Sequence, residues 1–314
     1  MSTKLDRLHD FLFAHRLGCG VTALALGLLG GLLAGSKGQQ QASASAINEL
    51  GTDPVDLKDW PTIPVHGSPP RLGLVPKLPQ LISVPTFKSY HDWLALRANF
   101  LALVEGHPDV ALAWDLGSRI RAHKVVVQVD ANLPAIAIFD VMPLRLVRGN
   151  TDPRLPSPDS FDTFDIGGGE LGVEMYTIHP DLVSRARDAA DTVLAFVVIS
   201  HEYQHQQQFE AAAAGSLDRQ IFRTDLPEAI RASEAGCAIA WQHELAAYRA
   251  SSLASWAYGY PTNHHGLDAT VQDEAAFSQS LFHLMSDGES AWQYAACLPI
   301  LAKLAGHPHP DAFQ

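Results

Sequence analysis

Cysteine is scarce in this chain: Cys19, Cys237 and Cys297 are the only three in 314 residues. None stands in a CxxC pair, so no cysteine-built metal site is suggested. Cys237 and Cys297 fall in separate expected helices. In an oxidising compartment they could form one disulfide, with two buried free thiols as the other reading. Basic residues are also few, with 22 Lys and Arg against 34 Asp and Glu and a formal net charge of -12. That argues against nucleic acid as a partner, because phosphates are held by clustered Lys and Arg. An acidic surface mainly implies solubility. No internal repeat is visible. The glycine run Gly167-Gly168-Gly169 lacks the Lys-Ser/Thr of a P-loop and the spacing of a dinucleotide fingerprint, and reads as a turn.

Hydrophobic residues make up 47% of the chain, enough for a sizeable core in one large or two ordinary domains. One run is placed apart from that core. Residues Leu17 to Gly35 carry no charge and follow Lys4, Arg7 and Arg16. Four glycines (Gly27, Gly30, Gly31 and Gly35) weaken a soluble helix but are acceptable in a membrane one. Residues 1–36 are therefore expected to be a membrane anchor, or a signal peptide cleaved near Ala42-Ser43-Ala44. The basic flank would leave the bulk of the chain outside the cytoplasm.

Residues 37–86 hold a small polar tract and then eight prolines from Pro54 to Pro85, which favour extended structure and read as a linker. A globular domain is expected over 87–314. Helices are expected at Tyr90 to Glu105 and Val110 to His123. Strands are expected at Lys124 to Val129, Ala135 to Met142 and Leu171 to Ile178. From Pro180 to Ala214 the pattern is helical, with Gly215 as its stop. Asp225-Leu226-Pro227-Glu228 resembles a capped helix start, opening a helix to about Trp256. Another helical stretch runs from Asp273 to about Ala305. The fold class is α+β and predominantly helical, with a small sheet preceding the long helix.

That long helix carries the chemistry. His201-Glu202-Tyr203-Gln204-His205 is an HExxH motif following the apolar run Val193 to Ile199. Positions i and i+4 share a helix face, so His201 and His205 can address one metal ion. Glu202, beside the first ligand, can take a proton from metal-bound water. Two His and a Glu in one turn at a buried helix end are costly without a partner, and a metal is such a partner. The competing reading is a pair of surface histidines on a glutamine-rich helix end.

A catalytic zinc needs a third protein ligand and an open position. The metzincin extension would place Gly and His where this chain has Gln208 and Ala211, so that class is excluded. A Glu from a second, downstream helix remains, with Glu210, Glu228, Glu234 and Glu244 as candidates. Glu210 has poor geometry for the same ion, and Glu234 shares its face with Trp241. Glu244 is preferred because Gly236, Ala240, Ala247 and Ser251 make its face small enough for close helix approach. His243 and a histidine of the His264-His265 loop are alternatives.

His201-Glu202-xx-His205 followed by Glu244-Leu245-Ala246-Ala247-Tyr248 resembles the zincin superfamily of metallopeptidases in its gluzincin form. The resemblance covers about 50 residues. It implies a zincin-like fold, one Zn2+ per chain held by His201, His205 and Glu244, and Glu202 as general base. The implied activity is zinc-dependent hydrolysis of a peptide or protein, with the membrane engaged through the N-terminal segment. It also implies that the strand Leu171 to Ile178 pairs with extended substrate. Tyr248 stands where gluzincins often carry an acidic partner. Tyr248, His243, His264 and His265 are candidate oxyanion donors. The alternative is a catalytically inactive zincin-fold binding or scaffold protein with structural metal or none.

Overall fold

The computed structural model describes residues 79–133, 135–149, 161–184, 189–257, 273–286 and 295–306. The expected anchor, most of the linker and the His264-His265 loop lie outside these residues. Among the described residues, no helix is long and apolar enough to cross a membrane.

The packed chain begins ahead of Phe87. Val84 is buried in the main core, and its amide bonds Ser184 O at 2.7 Å. Asn99 holds the same entering segment, accepting from Ile82 N at 2.7 Å and donating to Ile82 O at 2.7 Å. Helix α1 spans Tyr90–Glu105 and starts on a capping box: Asp92 N donates to the Ser89 hydroxyl, and Ser89 N donates to Asp92. Its inner face is Trp93, Leu96, Phe100, Leu103 and Val104, whereas Leu94 is exposed. Helix α2, Val110–Arg121, is capped by Asp109 and packs beside it.

Four strands follow: β1 (Val125–Val129), β2 (Ala137–Pro143), β3 (Phe164–Gly167) and β4 (Glu170–Ile178). Between β2 and β3 lies a short helix α3, Leu144–Gly149. The sheet is mixed. β4 pairs parallel with β1 on one side and antiparallel with β2 on the other, and β3 forms a hairpin with β4. The hairpin turn is the glycine run, with φ of 119, 66 and 79° at Gly167, Gly168 and Gly169. Those values favour residues without a Cβ and account for the run as a turn. Leu171 to Ile178 is therefore not an edge for substrate, because both of its sides are occupied by neighbouring strands. The outer strands of the β1-β4-β2 order are β1 and β2.

Helix α4, Ala189–Ala211, crosses the sheet. It begins later than the sequence pattern indicates, because Pro180–Leu182 forms a separate 3-10 turn capped by His179. Val193 to Ile199 is buried on every side, which is how a helix without amphipathic periodicity is accommodated. Short helices α5 (Leu217–Gln220) and α6 (Glu228–Arg231) lead to the long α7, Glu234–Ala257. The expected cap at Asp225 does not form. α6 starts at Pro227 without a side-chain cap, and Asp225 instead binds Arg145 and Arg223.

Helices α8 (Glu274–Ser286) and α9 (Leu298–Leu304) complete the described fold. They build a second core with Cys237, Trp241, Leu245 and Tyr248 of α7. Cys237 and Cys297 form a disulfide, with Cα atoms 5.4 Å apart. The architecture is thus mixed α and β, mostly helical, with one small mixed sheet.

Candidate metal centre

The two cores meet where α4 lies against α7, and the candidate ligands sit on that seam. His201 Nε2 and His205 Nε2 are 3.2 Å apart. Glu244 places Oε2 3.4 Å from His201 Nε2 and Oε1 3.6 Å from His205 Nε2. All three residues are buried, and one ligand atom from each lies within 4.8 Å of the others. For bonds of about 2.0–2.1 Å, ligands on a tetrahedron stand about 3.3 Å apart. The observed spacings match that edge, and two imidazoles and a carboxylate are an ordinary donor set. His201, His205 and Glu244 could therefore hold a metal ion.

Of the other candidates, Glu210 turns away from this cluster and forms a bidentate pair with Arg119. Glu228 is exposed at the rim of the neighbouring pocket, and Glu234 is exposed at the start of α7. His243 is buried but bonds Asp218 through Nε2 at 2.6 Å and stacks on Phe222 with centroids 4.8 Å apart. It is not among the clustered donors. Tyr248 presents its ring to His201 at 4.6 Å in an edge-on contact.

Gly236 does not serve the approach of α4 to Glu244. A Cβ on Gly236 would lie 2.3 Å from Ile230 O and 2.5 Å from Arg231 O. Gly236 thus admits the corner between α6 and α7 rather than the approach of α4. Ala247 and Ser251 are buried further along α7, and Ala240 lines the pocket beside the cluster.

Several polar residues on the second half of α4 have distinct neighbours. Toward β2, Glu202 Oε2 accepts from Phe139 N at 2.8 Å, and Glu202 is only 2% exposed. Toward α7, Gln208 lies between His205 Nδ1 at 2.9 Å and His243 O at 3.0 Å. On the far face, Tyr203 donates to Asp115 at 2.9 Å. Gln206 accepts from Tyr176 OH at 2.8 Å and donates to Glu174 at 3.0 Å. The glutamine-rich stretch is therefore an interior network at the positions that matter, and His201 and His205 are not surface residues.

Glu174 is the strained member of that network. Burial, and then the like charge of Glu210, push its carboxyl up to about 7, against the pull of Arg119 and Gln206.

A solvent-open pocket of about 110 Å3 adjoins the cluster, lined by His205, Glu244, Phe139, Phe222, Arg231 and Cys297 among others. Pockets for whole drug-sized ligands run to roughly 300 Å3 or more, so this one has room for a single side chain. It opens on the edge of β2 at Ile138 to Asp140. Beyond that, the segment at Phe222 and Thr224 covers the strand, accepting from Val141 N at 2.9 Å and donating to Val141 O at 3.0 Å. Glu202 is not on the pocket wall.

Sequence reasoning missed Gln208, Asp218 and Phe222 as neighbours of the site. No spacing rule marks Asp218 as a partner of His243, whereas Gln208 carries a weak signal, standing one turn beyond His205. No family model matches this chain, and no curated protein and no solved structure matches it.

Proposed function

We propose that the chain is a zinc-dependent peptide hydrolase of zincin type, gluzincin-like in its ligand set. The observation that carries this reading is the convergence of His201, His205 and Glu244 on one point from two helices. When bound there, zinc would acidify a water and polarise the scissile carbonyl. Glu202, adjacent to His201 and anchored by the Phe139 amide, would accept the proton and return it to the leaving amine. The pocket beside His205 and Glu244 would take a substrate side chain.

The domain would act outside the cytoplasm, tethered by or released from residues 1–36, with residues 37–86 as the linker. The Cys237–Cys297 disulfide supports an oxidising compartment. A second reading, an inactive binding or scaffold protein on the same fold, is favoured by the near-complete burial of Glu202 off the pocket wall. A peptide library separates the two. Cleavage by the zinc-loaded wild type that is lost in Glu202→Gln supports the hydrolase, whereas metal uptake with no Glu202-dependent turnover supports the scaffold.

A further inference from the structure

The side chain of Gln208 stands between the two helices that supply the ligands. Its Nε2 donates to the backbone carbonyl of His243 at 3.0 Å, and its Oε1 lies 2.9 Å from His205 Nδ1. A carbonyl oxygen only accepts. The His243 contact therefore fixes which way round the amide sits, nitrogen toward His243 and oxygen toward His205. An amide oxygen also only accepts, so the His205 contact requires the proton on Nδ1. In the neutral ring the lone pair then lies on Nε2, the atom 3.2 Å from His201 Nε2 and 3.6 Å from Glu244.

The same amide joins the turn of α4 after His205 to the residue immediately preceding Glu244. One side chain thus controls two properties that a three-residue centre needs: which nitrogen of His205 can ligate, and how far the α4 ligands stand from the α7 ligand. We propose that Gln208 is the positioning residue of the metal centre, setting the His205 tautomer and the spacing of the two ligand-bearing helices. The proposal rests on the metal-centre reading of His201, His205 and Glu244, and does not require that the site be catalytic.

The test is zinc affinity of the full chain, measured by competition with a chromophoric chelator, alongside thermal unfolding of the metal-free protein. Gln208→Glu keeps an oxygen facing His205 Nδ1 and loses the donor to His243. Gln208→Met keeps the length and loses both. Orienting partners of ligating histidines shift metal affinity by roughly 10–100-fold. Gln208→Met is expected to weaken zinc by that factor, while Gln208→Glu stays within about 10-fold of wild type. Gln208→Ala, where it folds, is expected to follow Gln208→Met. Helix stapling alone would lower the affinity of Glu and Met variants equally, and that result overturns the proposal. So does wild-type affinity in Gln208→Met. If the wild type takes up no zinc, the metal-centre reading itself falls and the role of Gln208 falls with it.

Discussion

Glu244 on α7 places a carboxylate oxygen 3.4 Å from His201 Nε2 on α4. The contact spans the seam between the two cores and brings together residues from separate helices. It is the relationship on which the functional reading depends, since two histidines alone leave an ion without a third protein ligand.

Removing that carboxylate should therefore abolish tight binding. Glu244→Ala is expected to lower zinc affinity by at least about 100-fold, beyond the range seen for residues that only orient ligands. Chelator competition measures it. An affinity within a few fold of wild type would assign the third position elsewhere.

Glu202→Gln should behave in the opposite way. Its side chain is not one of the clustered donors, so zinc content should stay at the wild-type level. Peptide hydrolysis should fall by about 100-fold or more, the usual contribution of a positioned base. Parallel measurement of metal content and turnover distinguishes this from unfolding, which would lower both.

Glu174 makes stability depend on pH. Burial pushes its carboxyl up to about 7 in the folded chain, from an ordinary 4.5. The folded state then binds more protons than the unfolded one across that window, so stability declines as pH rises from about 4.5 to 7 and is level above. Glu174→Gln removes the ionisation and should gain on wild type with rising pH, by up to the order of 3 kcal/mol above pH 7. Denaturant unfolding at pH 5 and pH 8 checks it. An offset between the two proteins that is the same at both pH values would contradict it.

The Cys237–Cys297 bridge closes a loop of sequence separation 60 and ties the wall of the pocket to α7. By the chain-entropy account its loss should cost about 4 kcal/mol. The Cys237→Ser, Cys297→Ser double variant should show this in denaturant unfolding. Unchanged stability would indicate that the bridge contributes nothing in solution.

Elements with strong local rules were legible in the sequence. Helix α1 has the bounds that its apolar spacing indicates, and the glycine run turns where three positive φ values are needed. The His201/His205 pair was legible because helical geometry alone puts i and i+4 on one face. The small-residue face marks Glu244 only in part, since Gly236 accommodates the α6 carbonyls. What was not legible depends on contacts distant in sequence. β4 has the order of a substrate-pairing strand, but β1 and β2 occupy its two sides. Asp225 looks like a cap until Arg145 and Arg223 compete for its carboxylate. Gln208 and Gln206 are alike in sequence, yet one faces the ligands and the other a buried carboxylate.

The most direct test of the central claim is the zinc content of the purified chain after reconstitution and removal of loosely held metal. The account predicts about one zinc per chain in the wild type and in Glu202→Gln, and essentially none in His201→Ala. Zinc retained by His201→Ala at the wild-type level, or none held by the wild type, would contradict it.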